Sequence, residues 1–150
     1  MNTAYVTLGS NLGDRRTMLA QALERISFSN KILKISDVYE TFSAHEDRDP
    51  YLNCAIEIQT DMASSQLMQF LLEIQKQLGG SEERMTRTHC SVDLDLISHE
   101  NEVVRTPHLT LPHPEAHRRA YVMVPLAQIN PHWKHPVLNE TAQELAQKAF

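Results

Sequence analysis

Val92-Asp93-Leu94-Asp95-Leu96 alternates without a break, so as a strand it carries two carboxylates on one face and three aliphatic side chains on the other. Such a strand needs an apolar layer on one side and water or a ligand on the other, which is the habit of antiparallel sheets. Asp93 and Asp95 project the same way and could together grip a hard cation such as Mg²⁺, which takes a few carboxylates plus substrate phosphates. A half-buried strand with a wet acidic face has the same pattern, and these five residues alone leave both readings open.

Elsewhere the apolar period changes along the chain. Ala4 to Leu8 reads as a buried strand, broken by Gly9-Ser10-Asn11-Leu12-Gly13-Asp14, after which Met18, Leu19, Ala22, Leu23 and Ile26 recur at helical spacing. Ile32 to Phe42 is rich in β-branched and aromatic residues, and Leu52 to Thr60 alternates, which predicts two antiparallel strands around the polar loop Ser43 to Pro50. Leu67, Met68, Leu71, Leu72, Ile74 and Leu78 predict a second helix closed by Gly79-Gly80. A polar loop, Ser81 to Cys90, leads to the acidic strand Ser91 to Ser98, and residues 99–102 are expected to join it to Val103–Thr106 as a hairpin. Thr141-Ala142-Gln143-Glu144 matches a capping box and predicts a short helix through Leu145 to Phe150. The order β-α-β-β-α-β predicts an α+β, ferredoxin-like core: an antiparallel sheet backed by two helices on one face, with a C-terminal hairpin and helical additions. The other face is then the place for a site.

At 150 residues the chain can bury a core of its own, so one domain, 1–150, is expected. Cys54 and Cys90 have no metal-ligand spacing and read as reduced thiols of a cytoplasmic protein, Cys54 within the core. No stretch approaches 18 apolar residues, so neither export nor membrane spanning is expected. A net charge of −5 without a long Lys/Arg run argues against a nucleic-acid binder.

Several segments carry a resemblance. Gly9-Ser10-Asn11-Leu12-Gly13-Asp14-Arg15, Tyr51-Leu52-Asn53, Asp93-Leu94-Asp95-Leu96, Leu109-Thr110-Leu111-Pro112-His113-Pro114, Arg119-Ala120-Tyr121-Val122 and Pro125-Leu126 occur in order between about Ala4 and Pro131. Together they resemble 6-hydroxymethyl-7,8-dihydropterin pyrophosphokinase, a folate-pathway family. The resemblance implies a ferredoxin-like core and transfer of the β,γ-diphosphate of ATP to the pterin hydroxymethyl group, with two Mg²⁺ ions and AMP as the other product. It implies ATP and a reduced pterin as partners and a monomer. Asp93 and Asp95 match the family's metal-binding pair. Thr41, Phe42, Tyr51, Asn53 and Tyr121 match pterin-contacting positions, Tyr121 where the family usually has phenylalanine. Leu96, Thr110 and His113 fall on ATP-contacting segments, and Arg119 matches a phosphate-contacting arginine.

The departures cluster between the second helix and the acidic strand. There the family has Arg-Trp-Gly-Pro-Arg-Thr, and this chain has Thr86-Arg87-Thr88-His89-Cys90-Ser91. Cys90 replaces a phosphate-reaching arginine, Arg87 replaces the tryptophan, and further family arginines fall on Gly80 and His108; Phe42 replaces the proline after the pterin-contacting threonine. Arg84 and Arg87 could substitute from shifted positions. Two readings follow: a divergent pterin diphosphokinase using Arg84, Arg87, Arg119 and His89, or a non-catalytic or repurposed paralogue that binds pterin or nucleotide under a degraded phosphate lid. A third, a transition-metal site from His89, Asp93, Asp95 and His99, lacks a known ligand spacing.

Overall fold

The computed structural model describes residues 1–11, 13–42, 50–79 and 92–149. It is an α+β fold on an antiparallel sheet. In chain order come β1 (Asn2–Ser10), α1 (Arg15–Ser27), β2 (Lys31–Ile35), β3 (Tyr39–Thr41), β4 (Tyr51–Thr60), α2 (Ser64–Gly79), β5 (Asp93–His99), β6 (Val104–Arg105) and β7 (Thr110–Leu111). A 3₁₀ turn (Ala116–Arg118), α3 (Ala120–Ile129) and α4 (Ala142–Ala149) complete it. The main sheet runs β2-β4-β1-β5, with β3 also paired to β4. Among the described residues no helix is long and apolar enough to cross a membrane.

The two faces of the sheet follow from the alternation. Val6, Leu8, Ile56, Ile58, Leu94 and Leu96 point to one side, where Leu19, Ala22 and Ile26 of α1 and Leu67, Leu71 and Ile74 of α2 cover them. Cys54 joins this layer, and burial pushes its thiol up to about 12, so it is an inert core residue. On the other side Tyr5, Ala55 and Ile97 pack under Val122, Met123, Leu126 and Ile129 of α3 and Leu145 of α4. The two expected helices, α1 and α2, back one face; the helical additions α3 and α4 cover part of the second, and the rest of that face holds Gly9, Asn53, Asp93 and Asp95.

Three further expectations change. Ile32–Phe42 is not one strand. Ser36 Oγ accepts the Ala55 N–H at 2.8 Å while Ser36 N–H donates to Ala55 O at 2.9 Å, so the chain steps out of the ladder there and divides into β2 and β3. The strand β5 does not form a hairpin with 104–105. Glu100 takes φ of 50° and its N–H donates to Thr3 O at 2.8 Å, which turns the chain back along β1, and β6 pairs with β7 instead. That tight hairpin closes through Thr106, whose Oγ1 accepts from Leu109 N–H at 3.0 Å. The helix α3 escaped the sequence reading because Pro125 stands inside it. Burial of Val122, Met123, Leu126 and Ile129 outweighs the backbone hydrogen bond that proline cannot make.

Elsewhere the local signals hold. Thr141 Oγ1 accepts from Glu144 N–H at 3.1 Å and Glu144 Oε1 accepts from Thr141 N–H at 3.2 Å, the reciprocal pair of a capping box, so α4 begins at Ala142. The helix α2 runs through Gly79; Gly80 lies outside the described residues.

Candidate active site

Gly9 is the hinge point of the open face. Across the sheet it pairs with Asn53 of β4 on one side and with Asp93 of β5 on the other. A Cβ at Gly9 would lie 3.0 Å from Asn53 Oδ1 and 3.3 Å from Tyr51 Cδ1, so glycine keeps the floor flat and lets Asn53 and Tyr51 lean over the central strand. Asn53 is buried, and its Nδ2 donates to Thr41 Oγ1 at 2.7 Å. That bond leaves Asn53 with Oδ1 and one N–H, and Thr41 with its hydroxyl hydrogen, for a ligand edge.

Asp93 and Asp95 project onto the same face. Asp93 is pushed up to about 7, first by burial and then by the charge of Asp95, with Arg119 and His113 pulling the other way; a hydrogen bond from its partner carboxyl also raises it. Asp95 is raised as well, by burial, with Arg119 opposing. Burial and mutual repulsion thus favour retention of a proton by the pair, which a bound cation would displace. His113 Nε2 stands 3.8 Å from Asp95 Oδ1, while its Nδ1 accepts from Glu115 N–H at 3.2 Å. Nδ1 is thus unprotonated, and Nε2 carries the hydrogen that faces Asp95. Burial and the Arg119 charge lower the affinity of His113 for a second proton, so the ring is neutral at pH 7. Arg119 immediately precedes α3, its guanidinium 5.7 Å from the centre of the Tyr121 ring.

Beside the carboxylates a cavity of about 330 Å³ opens between α2, β5 and the 107–114 segment. Met68 and Leu72 of α2 and Leu109 make its apolar walls; Gln75, His108, Thr110, His113, Asp93 and Asp95 add polar atoms.

The sequence of residues 5–131 matches the family described as 7,8-dihydro-6-hydroxymethylpterin-pyrophosphokinase, HPPK. The chain belongs to the HPPK family. It is 36% identical over 131 residues to the 2-amino-4-hydroxy-6-hydroxymethyldihydropteridine pyrophosphokinase of Bacillus subtilis (strain 168), covering 85% of this chain and 78% of that one. To the protein of the same name from Aquifex aeolicus (strain VF5) it is 32% identical over 145 residues, 96% of this chain and 90% of its relative. Among solved structures it resembles wild-type Plasmodium falciparum HPPK-DHPS with pteroate, at a TM-score of 0.73 and 14% identity. That match takes in 98% of this chain but 44% of the longer one, and speaks for the fold alone.

Of the residues that the HPPK resemblance singled out, Asp93, Asp95, His113 and Arg119 form one electrostatic cluster, and Thr41, Tyr51 and Asn53 form one wall around Gly9. Tyr121 sits beside Arg119, 40% exposed. Thr110 lines the cavity. Leu96 lines it too, with its side chain in the buried layer under α1 and α2. Phe42 lies just past β3 and is 76% exposed. Arg84, Arg87, His89, Cys90 and Gly80 lie outside the described residues. The third sequence reading loses His99, whose Nε2 meets Met62 O at 2.9 Å and whose Nδ1 pairs with Glu102. Among the described residues no group of three or more His, Cys, Asp or Glu side chains is placed to hold a metal ion.

Gln75 and Gly9 are site residues that the sequence reading did not assign a role. Gln75 Oε1 accepts from Leu94 N–H at 3.1 Å, pinning α2 to the strand between the two carboxylates. Its signal was its place on the polar face of α2, which any solvated helix shares.

Proposed function

We propose that the chain carries out its family's reaction on the open face of the sheet, with the pterin over Gly9 and the nucleotide in the cavity beside β5. The protein transfers the pyrophosphoryl group of ATP to 6-hydroxymethyl-7,8-dihydropterin in folate biosynthesis. The observation that carries the site assignment is the position of Asp93 and Asp95: they stand between the apolar cavity and the Asn53–Thr41 wall, and the charge of Arg119 acts on both.

Two hard oxygen donors on one strand face, their proton affinity raised by burial and mutual repulsion, suit Mg²⁺ completed by substrate phosphates. Asp93 and Asp95 would hold two such ions, which when bound neutralise the polyphosphate and favour an ionised acceptor oxygen. The protein's own part is positioning and charge, which supply most of phosphoryl-transfer catalysis. Met68, Leu72 and Leu109 give the purine an apolar slot. Arg119 brings a guanidinium to the phosphates, and the neutral His113 offers its Nε2–H beside Asp95 without adding a competing charge. Asn53 and Thr41 read the polar edge of the pterin, and Tyr51 and Tyr121 offer ring faces. The strand order, with α1 joining β1 to β2 and β4 lying between them, supports the ferredoxin-like plan for one domain over 1–150.

The purified protein with ATP, Mg²⁺ and the reduced hydroxymethylpterin is expected to release AMP only when the pterin is present. Ligand binding without AMP would instead mark a binding paralogue. Two substitutions test the wall. Asn53→Ala leaves ligand polar groups unpaired and is expected to weaken a pterin analogue by about 1–3 kcal/mol in a calorimetric titration. Gly9→Ala forces the Asn53 amide or the Tyr51 ring aside and is expected to weaken the same analogue while leaving nucleotide affinity intact. Equal pterin affinity in both variants would move the pocket elsewhere.

A further inference from the structure

The segment Gly13-Asp14-Arg15 belongs to the site's sequence signature but none of its side chains reaches the carboxylates or the cavity. Gly13, at φ of 72°, turns the chain, and Asp14 Oδ1 caps α1 by accepting from Thr17 N–H at 3.2 Å. Arg15 then opens the helix, where a cation works against the helix dipole; α1 has no acidic residue in its first turn to offset it. Its guanidinium is engaged elsewhere. One terminal nitrogen, Nη1, donates to Pro50 O at 2.9 Å, and the other, Nη2, meets Glu40 Oε2 at 2.9 Å. Glu40 is the residue before Thr41, and Pro50 is the residue before Tyr51. One fork thus holds, to the start of α1, the two chain ends that carry Thr41 and Tyr51–Asn53.

We propose that Arg15 is a positioning residue for the acceptor substrate: by tying Glu40 and the Pro50 carbonyl together it keeps Thr41, Tyr51 and Asn53 in register as a ring-binding wall. This rests on the assignment of that wall to the pterin. The fork's work is separate from holding β3 to the fold. At the other end of β3, Gln128 of α3 accepts from Asp37 N–H at 2.9 Å and from the Tyr39 hydroxyl at 2.7 Å, and donates to Asp37 Oδ2 at 2.7 Å. The strand therefore stays attached when Arg15 is lost, while its Thr41 end is released. Lysine cannot replace the fork, because an ammonium is a point donor and cannot reproduce two divergent contacts from one plane.

Arg15→Ala, Arg15→Lys, Glu40→Gln and Asn53→Ala are compared by steady-state kinetics, by titration with a pterin analogue and with an ATP analogue, and by thermal unfolding. Arg15→Ala is expected to raise the pterin KM and the analogue Kd by about tenfold, the scale of one lost charge-assisted contact, with ATP-analogue affinity changed less than about twofold. Arg15→Lys recovers part of this and Glu40→Gln loses part, both at an unchanged melting temperature. Unchanged pterin affinity in Arg15→Ala alongside weakened affinity in Asn53→Ala overturns the proposal and leaves the wall assignment standing. Unchanged affinity in both overturns the two together. Equal loss of pterin and nucleotide affinity with a lowered melting temperature makes Arg15 a general structural residue and also overturns it. If Arg15→Ala does not fold, Arg15→Lys and Glu40→Gln decide by the same pterin-against-nucleotide split.

Discussion

Asp93→Asn and Asp95→Asn are each expected to lower pterin-dependent AMP release on the order of a thousandfold, because each removes a charged oxygen from the pair proposed to hold the metal-bound polyphosphate. The same changes are expected to raise the stability of the metal-free protein. Asp93 sits near 7 in the fold, against about 3.9 for an unfolded aspartate, so between those values the native state holds a proton that the unfolded state has released. Stability from this group is complete below about pH 4 and is lost as pH rises through about 7. In Asp93→Asn that decline disappears, a gain of up to about 4 kcal/mol at pH 8 measured by urea unfolding without divalent ions. Mg²⁺-dependent binding of an ATP analogue by the native protein should strengthen as pH rises through the same window, since the ion competes with the proton. Unchanged Mg²⁺-dependent affinity in both variants would remove the pair from the site.

Arg119→Ala is expected to lower kcat about a hundredfold or more, with a smaller effect on substrate affinity, because a fixed guanidinium works hardest where charge develops. Arg119→Lys should recover only part, for lack of a planar, bidentate donor. A second readout separates this from a packing effect. Arg119 pulls the proton affinities of Asp93 and Asp95 down, so its removal should move the pH midpoint of Mg²⁺-dependent nucleotide binding upward. A kcat close to that of the native protein, with an unmoved midpoint, would place Arg119 outside the reaction.

The carboxylate pair was legible because an alternation of period two needs no tertiary information: whichever sheet β5 joins, Asp93 and Asp95 share a face. Cys54, the capping box at Thr141 and the helix under Leu67–Leu78 were legible for the same reason, each being a local pattern. The break at Ser36 was not, because a serine hydroxyl replaces a ladder hydrogen bond only when Ala55 stands opposite it. Pro125 hid α3, since the burial that makes a helix worthwhile there comes from Tyr5, Ala55 and Ile97, residues far away in sequence.

The sequence by itself determined which residues share a strand face or a helix stripe, where the capped helix α4 begins, and, through its ordered motifs, the family. These depend on backbone period and on neighbours a few positions apart. Only the tertiary structure decided that Gly9 stands between Asn53 and Asp93, that the charge of Arg119 acts on both carboxylates, that both line the cavity, and that Arg15 spans Glu40 and Pro50. Those relations join segments tens of residues apart, and they exist because the sheet must bury one face under α1 and α2 and half of the other under α3 and α4, which leaves this open end for the chemistry.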